Sequence, residues 1–373
     1  MSAKPLPLLD PLPGRRRALV RAAFSAFVPK PEVAYRHRQR WSQAPPRIWD
    51  GSGGGERLVV VVPTVTRGAV PPALRDGLGR IADAVAMIVG AEPEVRCFVA
   101  VALYEATASA LARAVTEEIE RAWQATGTVV PWVGVTVSEP SKVLALNCTL
   151  PLLDVNGATA IAWFDDDVEV MSDCLLALWR AYDPAATCVY GARALPACSG
   201  DRSGIVGALL SSRSAVPNAY PYGCSMLLSR ATFGAGIPLV YMSDDHYFLL
   251  SLLDPRADDP LHRLRVVPDA VVRIGAPRSL RVAVRRVVRN YRNVQRVLAD
   301  ADEVSVRHFR RRLHFAALRP PRSVREALTP GYWIRLGFQA GRALLWQVLV
   351  AEVLLRGLLA RPRLAVWSSD QGR

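Results

Sequence analysis

The chain has 373 residues, 51% of them hydrophobic, and its 47 basic against 33 acidic side chains give a formal charge of +14. So much apolar side chain excludes a wholly disordered polypeptide, because burying it can offset the entropy lost on folding. The six cysteines show no CxxC spacing, which argues against a disulfide scaffold or a structural zinc site and favours a reducing compartment.

The first 55 residues form a region with its own composition. They are rich in Pro and Arg and end in GSGGG at 51–55, a sequence typical of a flexible linker. The brief apolar stretch at 22–28 is followed by Pro29 and further basic residues, which is not the pattern of a secretory signal peptide. We therefore expect an extension over 1–55 and a folded body that begins at residue 56.

From residue 56 onward, apolar β-branched runs alternate with helical patterns. The run RLVVVV at 57–62 predicts a strand that is buried on both faces. In chain order, the further predicted elements are a helix at 72–89, a strand at 95–103, a helix at 106–126, a strand at 129–137, a helix at 142–153, a strand at 158–164, a helix at 174–182, strands at 188–192 and 223–229, a helix at 244–253 and a strand at 264–274. This order predicts an α/β fold over 56–276, with a mostly parallel, doubly wound central sheet flanked by helices.

Three aspartates stand directly after one of the apolar strands. In extended geometry the side chains of Asp165 and Asp167 point to the same side and that of Asp166 to the opposite side. Adjacent like charges are costly without a cation, so the outer pair is a candidate site for Mn²⁺ or Mg²⁺ on a diphosphate. The alternative is a solvated loop that leads to a helix capped by Ser172 or Asp173.

Four motifs succeed one another in a characteristic order. They are PTVTR at 63–67, SKVLALN at 141–147, FDDDVEV at 164–170 and SDDHYF at 243–248. Together they resemble family 2 glycosyltransferases of the GT-A fold over about 57–274, and the triple Asp resembles the DDD variant of bacterial galactofuranosyltransferases. The resemblance implies a metal-dependent enzyme that uses a nucleotide-diphosphate sugar.

The resemblance assigns most of the candidate site to the sugar donor. It implies that Asp165 and Asp167 bind the divalent cation, with Asp166 beside the donor. The other residues that it brings near the donor are Pro63, Thr64, Arg67, Glu105, Lys142 and Asn147. Glu105 stands where the family usually has an Asp that contacts the nucleobase, and Arg273 stands where many relatives have a metal-binding His.

Two of these residues have ordinary structural alternatives. Lys142 is the only lysine after residue 30, and it is either a point charge that approaches a phosphate or a solvated residue at the start of a helix. Asn147 either makes a hydrogen bond near the sugar or is a buried amide bonded to backbone.

The second acidic motif opens a predicted helix. Transfer with inversion needs a carboxylate that takes the proton of the acceptor hydroxyl, and the resemblance assigns this base to Asp245, with Asp244 beside it. The helix dipole stabilises anions at this position. The alternative is a capping role for Ser243 or Asp244, and His246 is a candidate metal ligand or second proton carrier.

The last region, 277–373, is predicted to be helical, basic and amphipathic. At ~100° per residue, five arginines share one face of a helix. They are Arg281, Arg285, Arg289, Arg292 and Arg296. Arg289 and Arg292 are candidates for contact with phosphate, with a solvated charged face as the alternative. The segment 332–367 combines Trp, Arg and long apolar runs, which is typical of a helix at a membrane interface or docked on another subunit.

The residues and the resemblance together predict an inverting glycosyltransferase of the hexosyltransferase type. Its partners would be a nucleotide-diphosphate sugar, a glycan or lipid-linked acceptor of cell-envelope or polysaccharide synthesis, and the anionic inner face of the cell membrane. We expect a cytoplasmic, peripheral protein because no apolar run reaches the roughly 18–20 residues that span a bilayer; an oligomer is compatible with this prediction.

Two other functions compete with this prediction. A basic nucleic-acid-binding protein fits less well, because the aromatic residues do not alternate with the arginines as stacking platforms would. A nucleotidyltransferase would share the sheet and the acidic site, but the usual Gly-rich loop after the first strand is absent, since PTVTRG contains only Gly68.

Overall fold

A computed structural model of the chain describes residues 47–49, 55–66, 72–105, 131–137, 141–197, 220–238, 243–275, 303–308 and 323–330, together with a few further positions between and after these ranges. The strands are β1 (Arg57–Thr66), β2 (Arg96–Glu105), β3 (Trp132–Val137), β4 (Ala160–Phe164), β5 (Val168–Val170), β6 (Val189–Pro196), β7 (Ser225–Ser229) and β8 (Leu264–Ile274). The helices are α1 (Pro72–Ala91), α2 (Lys142–Cys148), α3 (Leu150–Val155), α4 (Cys174–Ala181), α5 (Arg230–Phe233), α6 (Asp244–Leu252), α7 (Glu303–His308) and α8 (Val324–Ala327).

The eight strands form one sheet in the order β3-β2-β1-β4-β7-β6-β8-β5. The first four are parallel neighbours, and β6 is parallel to β8. Strand β7 runs antiparallel to both β4 and β6, and β5 runs antiparallel to β8. Four of the seven pairings are therefore parallel, which confirms the expected α/β class; the flanking helices make the sheet consistent with the GT-A fold.

Strand β1 shows why the sheet is covered on both faces. Its residues from Leu58 to Val62 are completely buried, and they alternate between two apolar layers. Val59 and Val61 pack on the α2 side, whereas Leu58, Val60 and Val62 pack on the side of α1 and α4. A continuous β-branched run is stable only between two such layers, because either face would otherwise expose apolar side chains to water.

The structure departs from the sequence prediction at a few boundaries. The helix expected over 142–153 is divided at Thr149 into α2 and α3, because Pro151 has no N–H to continue the first helix. Strand β5 was not predicted, since its three residues are too few to show a period. The helix expected at 106–126 lies mostly outside the described residues, as does most of 277–373.

The described part of the predicted N-terminal extension packs on the body. The side-chain oxygen of Asn156 accepts hydrogen bonds from the backbone N–H groups of Ile48 (2.6 Å) and Trp49 (3.2 Å). The Trp49 ring is buried and lies 4.7 Å from the Phe98 ring, edge to face. Trp49 therefore belongs to the apolar core, and Ile48 packs against it.

The sheet topology brings several chain segments to one edge. Strands β1, β2 and β4 are parallel neighbours, so their carboxyl ends lie together. Because β7 is antiparallel to β4, with Ser225 opposite Phe164, the residues before β7 reach the same edge. Helix α2 begins beside this edge, where its N-cap Ser141 accepts a hydrogen bond from the N–H of Leu144.

Candidate functional site

The three aspartates after β4 lie in a turn, and they differ in exposure. Asp165 is half-buried, Asp166 is buried and Asp167 is exposed. The backbone N–H of Asp165 donates to the carbonyl of Cys224, which ties the turn to the segment before β7. The Asp165 carboxylate contacts Lys142, whereas that of Asp166 accepts a hydrogen bond from the Thr64 hydroxyl. The two neighbouring carboxylates therefore point to opposite layers of the fold.

Lys142 is the centre of the site. Its ammonium Nζ lies 2.6 Å from Oδ1 of Asp165 and 3.0 Å from Oδ2 of Asp244, and it donates to the carbonyl oxygen of Gly223 at 2.5 Å. The side chain is only 10% exposed. The first acidic motif, at the end of β4, and the second, at the start of α6, therefore meet across one buried ammonium.

Burial dominates the electrostatics of this ion triad. It raises the pKa of Asp165 to about 7, even though the Lys142 ammonium acts to lower it, while Asp167 and Asp244 raise it further. Burial likewise raises the pKa of Asp244 above its ordinary value, again opposed by Lys142. For Lys142, burial alone would lower the pKa, but the two carboxylates raise it well above its usual range. The ammonium thus stays charged at any physiological pH.

Two further groups fix Asp244. The indole N–H of the fully buried Trp163 lies 3.0 Å from Oδ2 of Asp244 and 2.9 Å from the Gly223 carbonyl. A Cβ atom on Gly223 would come within 2.5 Å of Oδ1 of Asp244, so only glycine lets the backbone approach the carboxylate this closely. Asp244 is therefore a buried carboxylate that is held in a fixed position.

Asp245 has a different environment from its neighbour. Its Oδ1 accepts hydrogen bonds from the Ser243 hydroxyl at 2.5 Å and from the backbone N–H of His246 at 2.8 Å, and Nδ1 of His246 lies 2.9 Å away. Burial acts to raise the pKa of Asp245, but His246, Ser243 and Lys142 together lower it below its ordinary value. Asp245 is therefore an oriented carboxylate that is ionised at neutral pH.

The capping alternatives can be compared with this geometry. Ser243 is the N-cap residue of α6 by position, but its hydroxyl binds Asp245 and His246 and makes no cap hydrogen bond. Asp173 is the N-cap residue of α4, and its side chain makes no cap hydrogen bond either. Neither acidic motif is thus held in place by side-chain capping of its helix.

The other candidate residues lie at several places in the fold. Pro63 and Thr64 are in the carboxyl-terminal half of β1, and Glu105 is the last residue of β2, with its side chain outside the described part. The half-buried amide of Asn147 donates a hydrogen bond to the carbonyl oxygen of Ile237 and accepts one from the N–H of the same residue, so it is bonded to backbone. Arg67, Arg289 and Arg292 lie outside the described residues.

Arg273 contacts a different carboxylate from the two that Lys142 joins. It stands opposite Glu169 on the neighbouring strands β8 and β5, and its guanidinium lies 3.5 Å from the Glu169 carboxylate. Arg80 of α1 approaches the same carboxylate at 2.9 Å. Arg273 thus belongs to a partly exposed ion pair at the edge of the sheet.

Sequence reasoning missed Trp163 and Gly223 as parts of the site. Trp163 lies in an apolar strand, where an aromatic residue is ordinarily core, and Gly223 carries no functional group. One signal was available for Trp163, since a buried indole needs a partner for its N–H. The partners of both residues depend on β7 and α6 meeting β4 in space.

Among the described residues, no group of three or more His, Cys, Asp or Glu side chains is arranged to hold a metal ion. The site nevertheless fits a cation that relies on its substrate for ligands. Asp167 is exposed, whereas Oδ1 of Asp165 already has the Lys142 ammonium 2.6 Å away, so the Asp167 carboxylate is the one open to a cation. One or two carboxylates completed by phosphate oxygens and water are the usual Mg²⁺ site.

Within the part of the chain that the structure describes, no helix is both long and apolar enough to cross a membrane.

Comparisons with known proteins give partial structural similarities. No protein-family model and no curated protein sequence matches the chain. Glucosyl-3-phosphoglycerate synthase from Mycobacterium tuberculosis, solved with Mn²⁺, UDP and phosphoglyceric acid, superposes with a TM-score of 0.29 at 14% identity, over 48% of this chain and 57% of that one. The same synthase with UDP alone superposes with a TM-score of 0.37 at 14% identity, over 65% of this chain and 79% of the synthase chain. S. aureus TarS superposes with a TM-score of 0.38 at 14% identity, over 81% of this chain and 52% of the TarS chain.

The chain therefore spans little more than half the length of TarS and of the first synthase structure.

Proposed function

We propose that this chain is a glycosyltransferase that moves a sugar from a nucleotide-diphosphate donor to an acceptor hydroxyl. One observation carries the proposal: the carboxylates that follow β4 and those that open α6 meet at the carboxyl edge of a largely parallel sheet, joined by Lys142. Ligands of open α/β sheets bind at this edge. Sugar transfer needs both an acidic cation site and a separate base, and the two motifs supply them.

Divalent cation binding is part of the proposal. We assign the ion to the exposed carboxylate of Asp167, since the Lys142 ammonium lies against Asp165. Mn²⁺ or Mg²⁺ bound there would neutralise the charge that develops on the departing diphosphate. His246 is left out of this set, because its Nδ1 is engaged by Asp245 and Ser243. One ammonium faces the two carboxylates of Asp165 and Asp244, and Asp167 lies close by, so the site has more acidic than basic side chains.

We assign the base to Asp245. Its carboxylate is held in place by Ser243 and His246 and is ionised at neutral pH, so it can accept a hydrogen bond from the acceptor hydroxyl. Asp244 is the less suitable base, because Lys142 and Trp163 already occupy its Oδ2. A base on the side of the anomeric carbon opposite the diphosphate would give inversion of configuration.

The rest of the assignment concerns the two substrates. Pro63 and Thr64 would line the donor from the end of β1, because that strand ends beside β4. The acceptor that we propose is a glycan or lipid-linked sugar of the cell envelope, reached at the inner face of the membrane. The many arginines at 273–325 support this part, since they would attract anionic headgroups or a lipid-linked pyrophosphate.

A thermal-shift panel of UDP-, GDP- and dTDP-sugars, each with and without Mn²⁺, tests the donor class. Selective stabilisation by one nucleotide is expected, because a ligand that binds only the folded state raises the melting temperature. No stabilisation by any nucleotide sugar would refute the proposal.

Replacing Asp245 by Asn tests the base. Turnover with the donor found in the panel should fall by about 10²–10⁴-fold, the usual contribution of a general base, while stabilisation by the donor is retained. The matched control is Asp173→Asn, which changes an exposed carboxylate at the start of α4. Loss of donor stabilisation with unchanged turnover would contradict the assignment.

A further inference from the structure

We propose that the ammonium of Lys142 is a built-in cation of this site. It occupies the position between Asp165 and Asp244 that a divalent ion would otherwise take, and it confines metal binding to the outer carboxylate of Asp167. The inference deepens the proposed function, since it concerns the same site, but its test with metal alone needs no nucleotide sugar.

The atoms around Nζ of Lys142 are of the kinds that hard divalent cations prefer as ligands. Two carboxylate oxygens and one backbone carbonyl oxygen, from Asp165, Asp244 and Gly223, lie 2.5 to 3.0 Å from the nitrogen. Carboxylates and carbonyls are also the protein ligands of Ca²⁺ and Mg²⁺, at somewhat shorter distances. The cage is thus shaped for a cation, and a covalently attached one fills it.

The position excludes a second cation for reasons of charge and space. The side chains of Lys142, Asp165 and Asp244 are 10%, 23% and 6% exposed, and the ammonium is in direct contact with both carboxylates, so it fills the space between them. A divalent ion within the same cage would lie directly beside the ammonium of Lys142 and would be repelled by its positive charge. Asp167 is the one member of the triple Asp that is exposed, and it is therefore the carboxylate that a soluble ion can reach.

An attached cation also gives the site a permanent shape. Because Lys142 belongs to α2, Asp165 follows β4 and Asp244 opens α6, the ion triad joins three elements without any ligand. Trp163 and Gly223 extend the same network from β4 and from the segment before β7. The second acidic motif would thus be in position before donor and metal bind.

Replacing Lys142 by Met tests the inference, because Met keeps much of the length of the side chain and removes the charge. Without metal, the melting temperature is expected to fall by roughly 10 °C, since two buried carboxylates lose their counter-ion. Millimolar MnCl₂ without nucleotide should raise the melting temperature of Lys142→Met by about 5 °C, while wild type changes by less than about 1 °C. Arg230→Met, which breaks the partly exposed pair with Asp154, is the control and should show no response to Mn²⁺.

An equal response of wild type and Lys142→Met to Mn²⁺, or no response of either, would overturn the inference. If Lys142→Met does not fold, two conservative single variants of the wild-type chain test the inference instead. Their affinity for Mn²⁺ is measured by electron paramagnetic resonance. Asp167→Asn is expected to weaken Mn²⁺ binding at least threefold, and Asp244→Asn to leave it unchanged. The opposite ranking would mean that the metal binds in the inner cage. If no nucleotide sugar binds, the proposed glycosyltransferase function is refuted, but the comparison of metal binding among these variants still tests the inference about Lys142.

Discussion

Replacing Asp166 by Asn is expected to stabilise the protein at alkaline pH. Asp166 is only 8% exposed, and its carboxylate accepts a hydrogen bond from the hydroxyl of Thr64. Burial raises the pKa of Asp166 to about 7, and the neighbouring charges of Asp167 and Asp165 raise it as well, although the bond from Thr64 opposes them. Asn has the same shape and can accept the same hydrogen bond without a charge.

The size of the effect depends on the pKa of Asp166. The pKa lies about three pH units above its ordinary value of 3.8, which corresponds to about 4 kcal/mol. A raised carboxyl pKa means that the folded state binds more protons than the unfolded state between about pH 4 and pH 7, so stability falls as the pH rises through this range. At pH 8 the variant should therefore be more stable by up to about 4 kcal/mol, and at pH 5 by less than half as much.

Urea denaturation of the metal-free protein at pH 8 and pH 5 measures the difference. The control is Asp269→Asn, which removes an exposed carboxylate from β8 and should change stability little at either pH. A variant that is less stable at pH 8, or equally stabilised at both pH values, would refute the reasoning. A stabilised variant that no longer binds its donor would show that Asp166 is retained at the expense of stability.

Close packing and burial give two further predictions. Gly223→Ala should destabilise the protein by about 1–3 kcal/mol in thermal unfolding, because the added Cβ would lie 2.5 Å from Oδ1 of Asp244. The control is Gly79→Ala in α1, which has no atom within 4 Å of its added Cβ and should be neutral or stabilising. Equal effects of the two substitutions on stability would contradict the packing argument. Burial raises the pKa of both the Cys97 and the Cys174 thiol to about 12. Neither thiol should therefore react with iodoacetamide at pH 8 until urea unfolds the chain, which peptide mass spectrometry measures. Labelling of either cysteine in the folded protein would refute this prediction.

The sequence alone determined the α/β class and most of the elements around the site. The apolar run of β1 and the strand before Asp165 are buried on both faces, and such strands are recognisable because every residue is apolar. Side-chain alternation also predicted that Asp165 and Asp166 point in opposite directions, as their contacts with Lys142 and Thr64 show. Local rules of this kind need no knowledge of distant residues.

Only the tertiary structure decided what these residues contact. Lys142 looked like a point charge for a phosphate or a solvated helix start, yet it is buried between two carboxylates that lie far from it in sequence. Trp163 and Gly223 became part of the site because antiparallel β7 and the start of α6 pack beside β4. A period of two or 3.6 residues fixes which face a side chain takes, whereas the partner on that face depends on how strands are ordered in the sheet, and no local pattern encodes that order.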